Sequence, residues 1–504
     1  MSETRRSGSF AFLLALLVAA PGCVPSLEGN APREPSPKTP DAYPTSGATA
    51  DAGTAPSGAA SVATATPAAQ ATWDRFFTSP DLRALIGVAL ANNQELNATL
   101  QEIVVTRSEV SAREGEYLPK LGAGVGVGVE KPGKYTSQGA ADDRSGLPEN
   151  LGNFTFGLTG SWEVDVWRKL RDAAKAASLR YFASIEARNF MVTQIIAEIA
   201  RSYWELVAKD AQLDILTRTI DVQTKALEVV KLEKQAGRVT ELAVQRFEAE
   251  VLKNRGRLFD VEQERVQAEN RINFLVGRYP RHVSRNPTDF SAPVRDDVFV
   301  GLPSRLLDDR PDVRRAALEL EATKFDVKSA RAAFYPSLTL DAGVGYRSFN
   351  VEHLVTTPES LFYGAAAGLT APLLNRAAIT AQYRTANAKQ IQAVLGYERT
   401  LLQAFTDVAN GLARLDNLKK SYDLQEKQVA TLANSLDIAN VLFQSARADY
   451  MEVLLTRRDS LEAQMELVET KRRRFEAVVD LYQALGGGWR TPTEPSRTAA
   501  ATSR

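Results

Sequence analysis

The stretch Tyr117–Gly128, YLPKLGAGVGVG, returns later in the chain as Phe334–Tyr346, FYPSLTLDAGVGY, pairing Pro119 with Pro336, Leu121 with Leu338 and Gly126 with Gly343. In the first copy Leu121, Ala123, Val125, Val127 and Val129 alternate with glycines. In the second, Leu338, Leu340, Ala342, Val344 and Tyr346 alternate with Thr339, Asp341, Gly343 and Gly345. Strict alternation puts successive side chains on opposite faces, so both segments read as β-strands with one apolar face. The following element repeats too: FTFGLTGSWEVDV from Phe154 matches FYGAAAGLTAPLL from Phe362 through Gly157-Leu158-Thr159 and Gly368-Leu369-Thr370. Each segment is about ten residues, the length of one tilted strand crossing a bilayer. Alternation alone fits a soluble hairpin equally well; the leader and the long helices described next favour the membrane.

Each hairpin follows an amphipathic helical segment, Glu95–Glu116 or Asp312–Ala333, and precedes a much longer one. From Arg168 to Ala236 there is neither proline nor glycine, and Ile195, Ile199, Tyr203 and Leu206 fall at heptad-like positions. At 1.5 Å per residue such a helix reaches about 100 Å. Gly237 breaks it and a second helix, Thr240 to Val276, turns back. The second copy runs from Ala377 to Ser445 and returns from Asp449 to Leu485. Two helix-strand-strand-helix-helix units therefore fill the chain. Four strands cannot close a barrel with a lumen, and four such helices leave an apolar seam uncovered, so oligomerisation is expected.

Of the 504 residues, 44% are hydrophobic and 24% charged; Lys plus Arg and Asp plus Glu each number 61. A balanced charge provides no field to hold nucleic acid. One cysteine, Cys23, and two histidines, His282 and His353, leave little for disulfides, metal ligation or acid–base chemistry. Both histidines sit in polar, loop-like stretches. GAGVGVGVE crowds glycines without the Lys-Ser/Thr ending of a phosphate loop, and no constellation of catalytic side chains emerges.

The N-terminus gives a compartment. Arg5 and Arg6 precede about eleven apolar residues, Phe10 to Ala20, then Pro21, Gly22 and Cys23, the layout of a secretory signal too short for a permanent span. Ala20-Pro21-Gly22-Cys23 resembles a bacterial lipobox, with Ala20 where leucine is usual. That resemblance implies cleavage before Cys23, a diacylglycerol on its sulfur and an N-acyl chain, and Val24 favours the outer membrane. The alternative is a signal cut elsewhere beside an incidental thiol. From Pro25 to about Ala71 the chain is mostly Pro, Ala, Thr, Ser and Gly with almost no large apolar side chains, which reads as a flexible tether. Ordered sequence begins at Trp73, with Leu82, Leu85, Ile86 and Ala89 at helical spacing.

GLPSRLLDDRPDVRRAALELEA from Gly301, SARAAFYPSLTL from Ser329, SWEVDVWRKLR from Ser161 and LYQALGGGW ending at Trp489 resemble the TolC-type outer-membrane efflux factors, in their NodT or OprM-like lipoprotein branch. The resemblance covers Trp73 to Trp489. It implies a mainly α fold with a membrane β-barrel portion: a homotrimer sharing a twelve-stranded barrel and a periplasmic α-barrel. The implied layout is signal peptide 1–22, lipidated tether 23–72, first repeat 73–280, equatorial linker 281–300, second repeat 301–489 and tail 490–504. The implied strands are 119–130, 153–164, 336–347 and 361–372. It further implies passive export through an outer-membrane duct served by a periplasmic adaptor and an inner-membrane resistance-nodulation-division pump, without a cofactor. A type I protein-secretion channel and a non-channel periplasmic lipoprotein are the alternatives.

The same resemblance assigns roles to the two helix turns. Gly237, Val239, Thr240 and Leu242 in the first, and Ala446, Tyr450 and Leu454 in the second, match adaptor-docking tips, with Ala446 where relatives have glycine; plain turn chemistry is the alternative. Met451 falls on the family's apolar gate ring, and Leu455 where OprM-like members have an acid. Glu452, then Asp449, are the remaining acidic gate candidates, unless both are merely solvated. Trp167 is followed by Arg168-Lys169 where the family has Gly-Arg, which puts that turn's geometry in question. Trp162 and Trp167 mark the membrane interface or pack at the barrel junction.

Overall fold

In chain order the secondary structure begins with α1 (Trp73–Phe76), α2 (Pro80–Asn92) and α3 (Gln94–Glu116), then β1 (Lys120–Glu130), α4 (Ser137–Ser145) and β2 (Leu151–Val164). The first helical hairpin is α5 (Lys169–Gln235) and α6 (Glu241–Leu275), followed by the short α7 (Thr288–Ser291) and α8 (Leu306–Asp309). The second copy supplies α9 (Pro311–Ala332), β3 (Ser337–Ser348), β4 (Leu361–Thr370), α10 (Ala377–Gln444) and α11 (Tyr450–Ala484). This computed structural model describes residues 24–27, 31–35, 40, 43, 70–295 and 303–490, apart from 373, 375 and 446. The signal segment 1–22, Cys23, most of the tether, residues 296–300 of the linker, Ala446 and residues 491–504 of the tail lie outside the described residues.

The chain divides into two compact units that do not follow the sequence repeats. One takes residues 103–183 and 316–396 with the first 35; the other takes 36–102, 184–315 and 397–504. Each therefore combines pieces of both copies. The repeat describes how the sequence arose, while the cores assemble equivalent parts of the two copies side by side.

The first unit holds the sheet, four antiparallel strands in the order β1-β2-β3-β4. The connection between β1 and β2 contains α4, because Thr136 caps Gly139 N at 3.1 Å and Gly146 ends the turn in the left-handed region. The later loop carries a short 3-10 turn, Val351–His353. Where β2 becomes α5, Arg168 has φ +63°, a left-handed conformation in a residue with a Cβ. The carboxylate of Asp165 holds the turn by accepting from Leu170 N at 3.2 Å and Arg171 N at 2.9 Å, two of the amides a helix start leaves unsatisfied. Arg168 thus adopts the backbone that the family's glycine would take freely.

Among described residues the main core lies in the second unit. Leu82, Leu85, Ile86 and Ala89 are all buried there. Trp204 stacks on Phe475 at 3.9 Å and Phe76 on Tyr482 at 3.8 Å. Asn93 ends α2 and starts α3: its Oδ1 accepts from Leu96 N at 3.0 Å while its Nδ2 donates to Leu275 O at 2.8 Å. Two of the phrases that carry the family resemblance, the start of the one at Gly301 and the one ending at Trp489, meet in this unit. Arg310 is buried between Asp312 and Asp407 and donates to Ala484 O at 2.8 Å. Burial opposes its charge, yet the two carboxylates hold its pKa above the usual guanidinium value. Gly486, at φ +83°, passes so close to Asp309 that a Cβ would stand 2.4 Å from its carbonyl oxygen, and Trp489 Nε1 donates to that oxygen at 3.1 Å.

The expectation of a featureless tether is corrected at two places. Gln390, 2% exposed, binds the backbone of Arg33 on both sides, its Nε2 donating to the carbonyl at 2.7 Å and its Oε1 accepting from the amide at 3.2 Å. Lys324 pairs with the neighbouring Glu34 at 3.0 Å. In the second unit Tyr43 stacks on Phe405 at 5.2 Å, and burial pushes its phenol up to about 12. The composition is tether-like, but one aromatic ring and one amide clamp are enough to order parts of it.

Removing the strain at Arg168 should stabilise the protein. A left-handed non-glycine residue costs about 1–2 kcal/mol, offset in part by the extra freedom of unfolded glycine. Arg168→Gly should raise stability by about 0.5–1 kcal/mol, read as a higher thermal midpoint in detergent; Arg168→Ala, which keeps the strained backbone, should not.

Candidate functional site

Two places concentrate residues whose placement bears on function, the helix turns and the sheet. At the first turn Gly237 has φ +71°, and the 6→1 bond from Arg238 N to Glu233 O, 2.9 Å, closes the end of α5. At the second turn Arg447 N donates to Leu442 O at 2.9 Å in the same pattern. The same closing bond thus ends α5 and α10; Ala446 lies outside the described residues.

Below the first turn Leu227, Val230, Ala243, Val244, Phe247 and Val251 form a separate small core. Val239 packs against it, and so do Tyr450 and Leu454 from the second turn. Three candidate docking residues therefore spend their apolar surface on tying the turns together. Leu242, 52% exposed, keeps its side chain in solvent, and Thr240 starts α6 without a side-chain cap bond.

The gate candidates sit on the first turns of α11. Asp449, its N-cap residue, and Glu452 are exposed, as is Leu455 at 40%. Positions 452 and 455, three apart, share one helix face. Met451 is half-buried, with its sulfur accepting from Arg246 Nη1 at 2.8 Å. Nearby, Arg457 donates to Asn440 at 3.0 Å, and burial lowers its pKa. Local sequence hides this burial, because an arginine on a charged helix reads as exposed.

The sheet has two chemically opposite faces. Its registers align Ala123, Leu158, Val344 and Tyr363 in one cross-strand row, Val125, Phe156, Tyr346 and Leu361 in the next, and Trp162, Leu340 and Ala367 in a third. These residues share a face by pleat parity. Leu121, Val125, Val127 and Val129 on that face are 76–87% exposed. Rows of opposite parity carry Gly122, Thr159, Gly343 and Gly364, then Lys120, Ser161, Asp341 and Ala366. Trp162 Nε1 donates to Tyr117 O at 2.9 Å; Trp167 Nε1 donates to Pro336 O at 2.8 Å and its ring stacks on Tyr335 at 4.9 Å. Both tryptophans thus combine a partly exposed ring with a bonded indole N–H.

His353 is exposed and His282 lies 3.1 Å from Glu269. Among the described residues no group of three or more His, Cys, Asp or Glu could hold a metal ion, and no helix is long and apolar enough to cross a membrane.

Comparison with known proteins gives a consistent result. The sequence profile of the family described as "Outer membrane efflux protein" matches residues 85–278 and 302–487. The probable outer membrane lipoprotein SilC of Salmonella typhimurium is 28% identical over 422 residues, 83% of this chain and 88% of that protein. The pyoverdine export outer membrane protein OpmQ of Pseudomonas aeruginosa is 28% identical over the same shares, and the cation efflux system protein CusC of Escherichia coli K12 is 26% identical over 82% of this chain and 88% of its own. Among solved structures, the open state of the Neisseria gonorrhoeae MtrE outer membrane channel superposes with a TM-score of 0.78 at 24% identity, covering 94% of this chain and 99% of that one. A crystal structure of CusC gives 0.75 at 25%, covering 83% and 95%.

The small core at the first turn should govern local stability. Phe247→Ala removes a buried ring whose loss costs about 3–5 kcal/mol. Amide exchange should accelerate across residues 227–251 while the strands stay protected.

Proposed function

The chain belongs to the outer membrane efflux protein family, and on that premise we propose that it is the outer-membrane exit duct of a tripartite efflux system. The observation that carries the reading is the two-faced sheet. Its apolar face needs lipid, because monomeric soluble proteins rarely leave so large a contiguous apolar surface in water. Its outer strands, β1 and β4, leave rows of backbone N–H and C=O groups that nothing in a bilayer can satisfy, so an open four-stranded sheet cannot stand alone there. Joining β4 of one copy to β1 of the next removes every edge. Three copies give twelve strands, enough to enclose a lumen, and the polar rows then line the water.

Such a duct is passive. A periplasmic adaptor and an inner-membrane resistance-nodulation-division pump would deliver the solute, with Leu242 the most available contact at the turns. The relatives' names specify different cargoes, pyoverdine for OpmQ and cations for CusC, which fits a duct that takes its selectivity from the pump. At the gate, three copies of α11 would bring Met451, Leu455, Glu452 and Asp449 around the axis. With Leu455 at the position of an acid, Glu452 carries the charge that favours cations.

Cys23 is the proposed lipid attachment point, with a diacylglycerol on its sulfur and an N-acyl chain. The clamp on Arg33 leaves ten residues to the cysteine, a reach of up to about 35 Å. The lipid is then a second anchor beside the barrel.

Trimer mass and conductance in a planar bilayer test the reading together; a monomer without conductance would overturn it. Glu452→Ala should lower the cation preference, and unchanged conductance and selectivity would remove Glu452 from the gate. Cys23→Ser should abolish acylation yet leave a conducting trimer.

A further inference from the structure

The polar face of the sheet is almost bare of bulky or charged side chains. Two of its central rows read Gly122-Thr159-Gly343-Gly364 and Gly124-Gly157-Gly345-Phe362. Charges of that parity are few among the described strand residues: Lys120 and Glu130 on β1, Glu163 on β2, Asp341 and Arg347 on β3. Glu163 binds Lys169, Arg347 lies over the ring of Phe362 at 4.9 Å, and Glu130 ends its strand. Lys120 and Asp341 remain. They occupy one cross-strand row, Lys120-Ser161-Asp341-Ala366, both are exposed, and neither closes an ion pair among the described residues. Two strand spacings separate their backbones by about 10 Å. Both line one open hollow of about 750 Å3, together with Gly122, Thr159, Ser161 and Gly343 of the same parity and Leu121, Gly160, Ala342 and Ala365 of the other.

We propose that Lys120 and Asp341 form a charge-balanced girdle inside the barrel, which makes this level of the duct indifferent to the sign of a solute's net charge and suited to dipolar or zwitterionic solutes. The inference rests on the reading that the polar face lines the lumen. Three copies would alternate three ammonium and three carboxylate groups around a wall with few other side chains, the two sets offset by about 6 Å along the axis because barrel strands tilt. Opposite charges about 10 Å apart cancel at the axis but not at the wall, since the Debye length at physiological salt is about 8 Å. Removing either partner unbalances the ring. One uncompensated charge at about 10 Å in water changes the local concentration of a monovalent ion about twofold.

Thr159 stands in the adjacent row, between Gly122 and Gly343, and serves as a local reporter that the gate does not control. In the full-length trimer carrying Thr159→Cys, a cationic and an anionic methanethiosulfonate would be applied from the exterior side. Peptide mass spectrometry would read the modification rate at position 159, apart from Cys23. The cation-to-anion rate ratio should rise about twofold or more with Lys120→Gln, fall by a similar factor with Asp341→Asn, and return to its starting value in the double variant. Ratios that stay fixed, or move in the same direction for both single variants, would overturn the girdle. A cysteine at 159 that reacts with neither reagent in the folded trimer would instead overturn the lumenal reading of this face.

Discussion

Every residue in a strand presents a backbone donor and acceptor, and a bilayer offers them no partner. That constraint explains why the sheet of this protein is incomplete as a single chain. Its four strands pair internally without a break in register, but the outward edges of β1 and β4 stay open. Alternation adds the second half of the argument. Because parity is kept through all three pairings, the apolar residues of both repeats fall on one face, and one register slip would send them all to the other. Edges that require a second copy and a face that requires lipid come from the same strands.

The helices answer a different demand. Helices of 67 and 68 residues cannot be held by propensity and must find apolar partners along their length. The second unit supplies them in three separate clusters, with buried polar pairs such as Asn254 and Gln223, 2.9 Å apart, fixing how α5 and α6 align. Apolar side chains including Leu252, Phe259 and Val266 are left exposed at seven-residue intervals on α6, a heptad column suited to a neighbouring helix.

Sequence reading recovered most of this because its signals were periodic. Alternating residues located the strands, proline-free runs located the long helices, and Gly237 marked the turn between them. It could not locate contacts made by single side chains at long range. Nothing in the local sequence shows that Gln390 clamps Arg33, that Tyr43 finds Phe405, or that Tyr450 and Leu454 join the core of the other turn. At Arg168 the sequence shows only that a glycine is missing; the backbone shows that arginine takes the glycine conformation and that Asp165 supports it.

The phrases that identify the family sit mostly where the framework is tied. Asp309, Arg310, Tyr482, Gly486 and Trp489 meet in one knot of buried charge, close backbone approach and stacked rings. Changing one member leaves its partners buried and unpaired, a far larger cost than a change on an exposed wall. The polar sheet face carries a lighter constraint: Gly157 and Gly345 approach each other so closely that a Cβ on either would stand less than 3 Å from the neighbouring backbone, but exposed side chains such as Lys120 and Asp341 support nothing else. Family resemblance in this chain is therefore strong evidence for the duct and weak evidence for its cargo. On the proposed assembly, what distinguishes one duct from another would lie in the few side chains that the framework leaves free, here Lys120 and Asp341 on the sheet and Glu452 at the proposed gate.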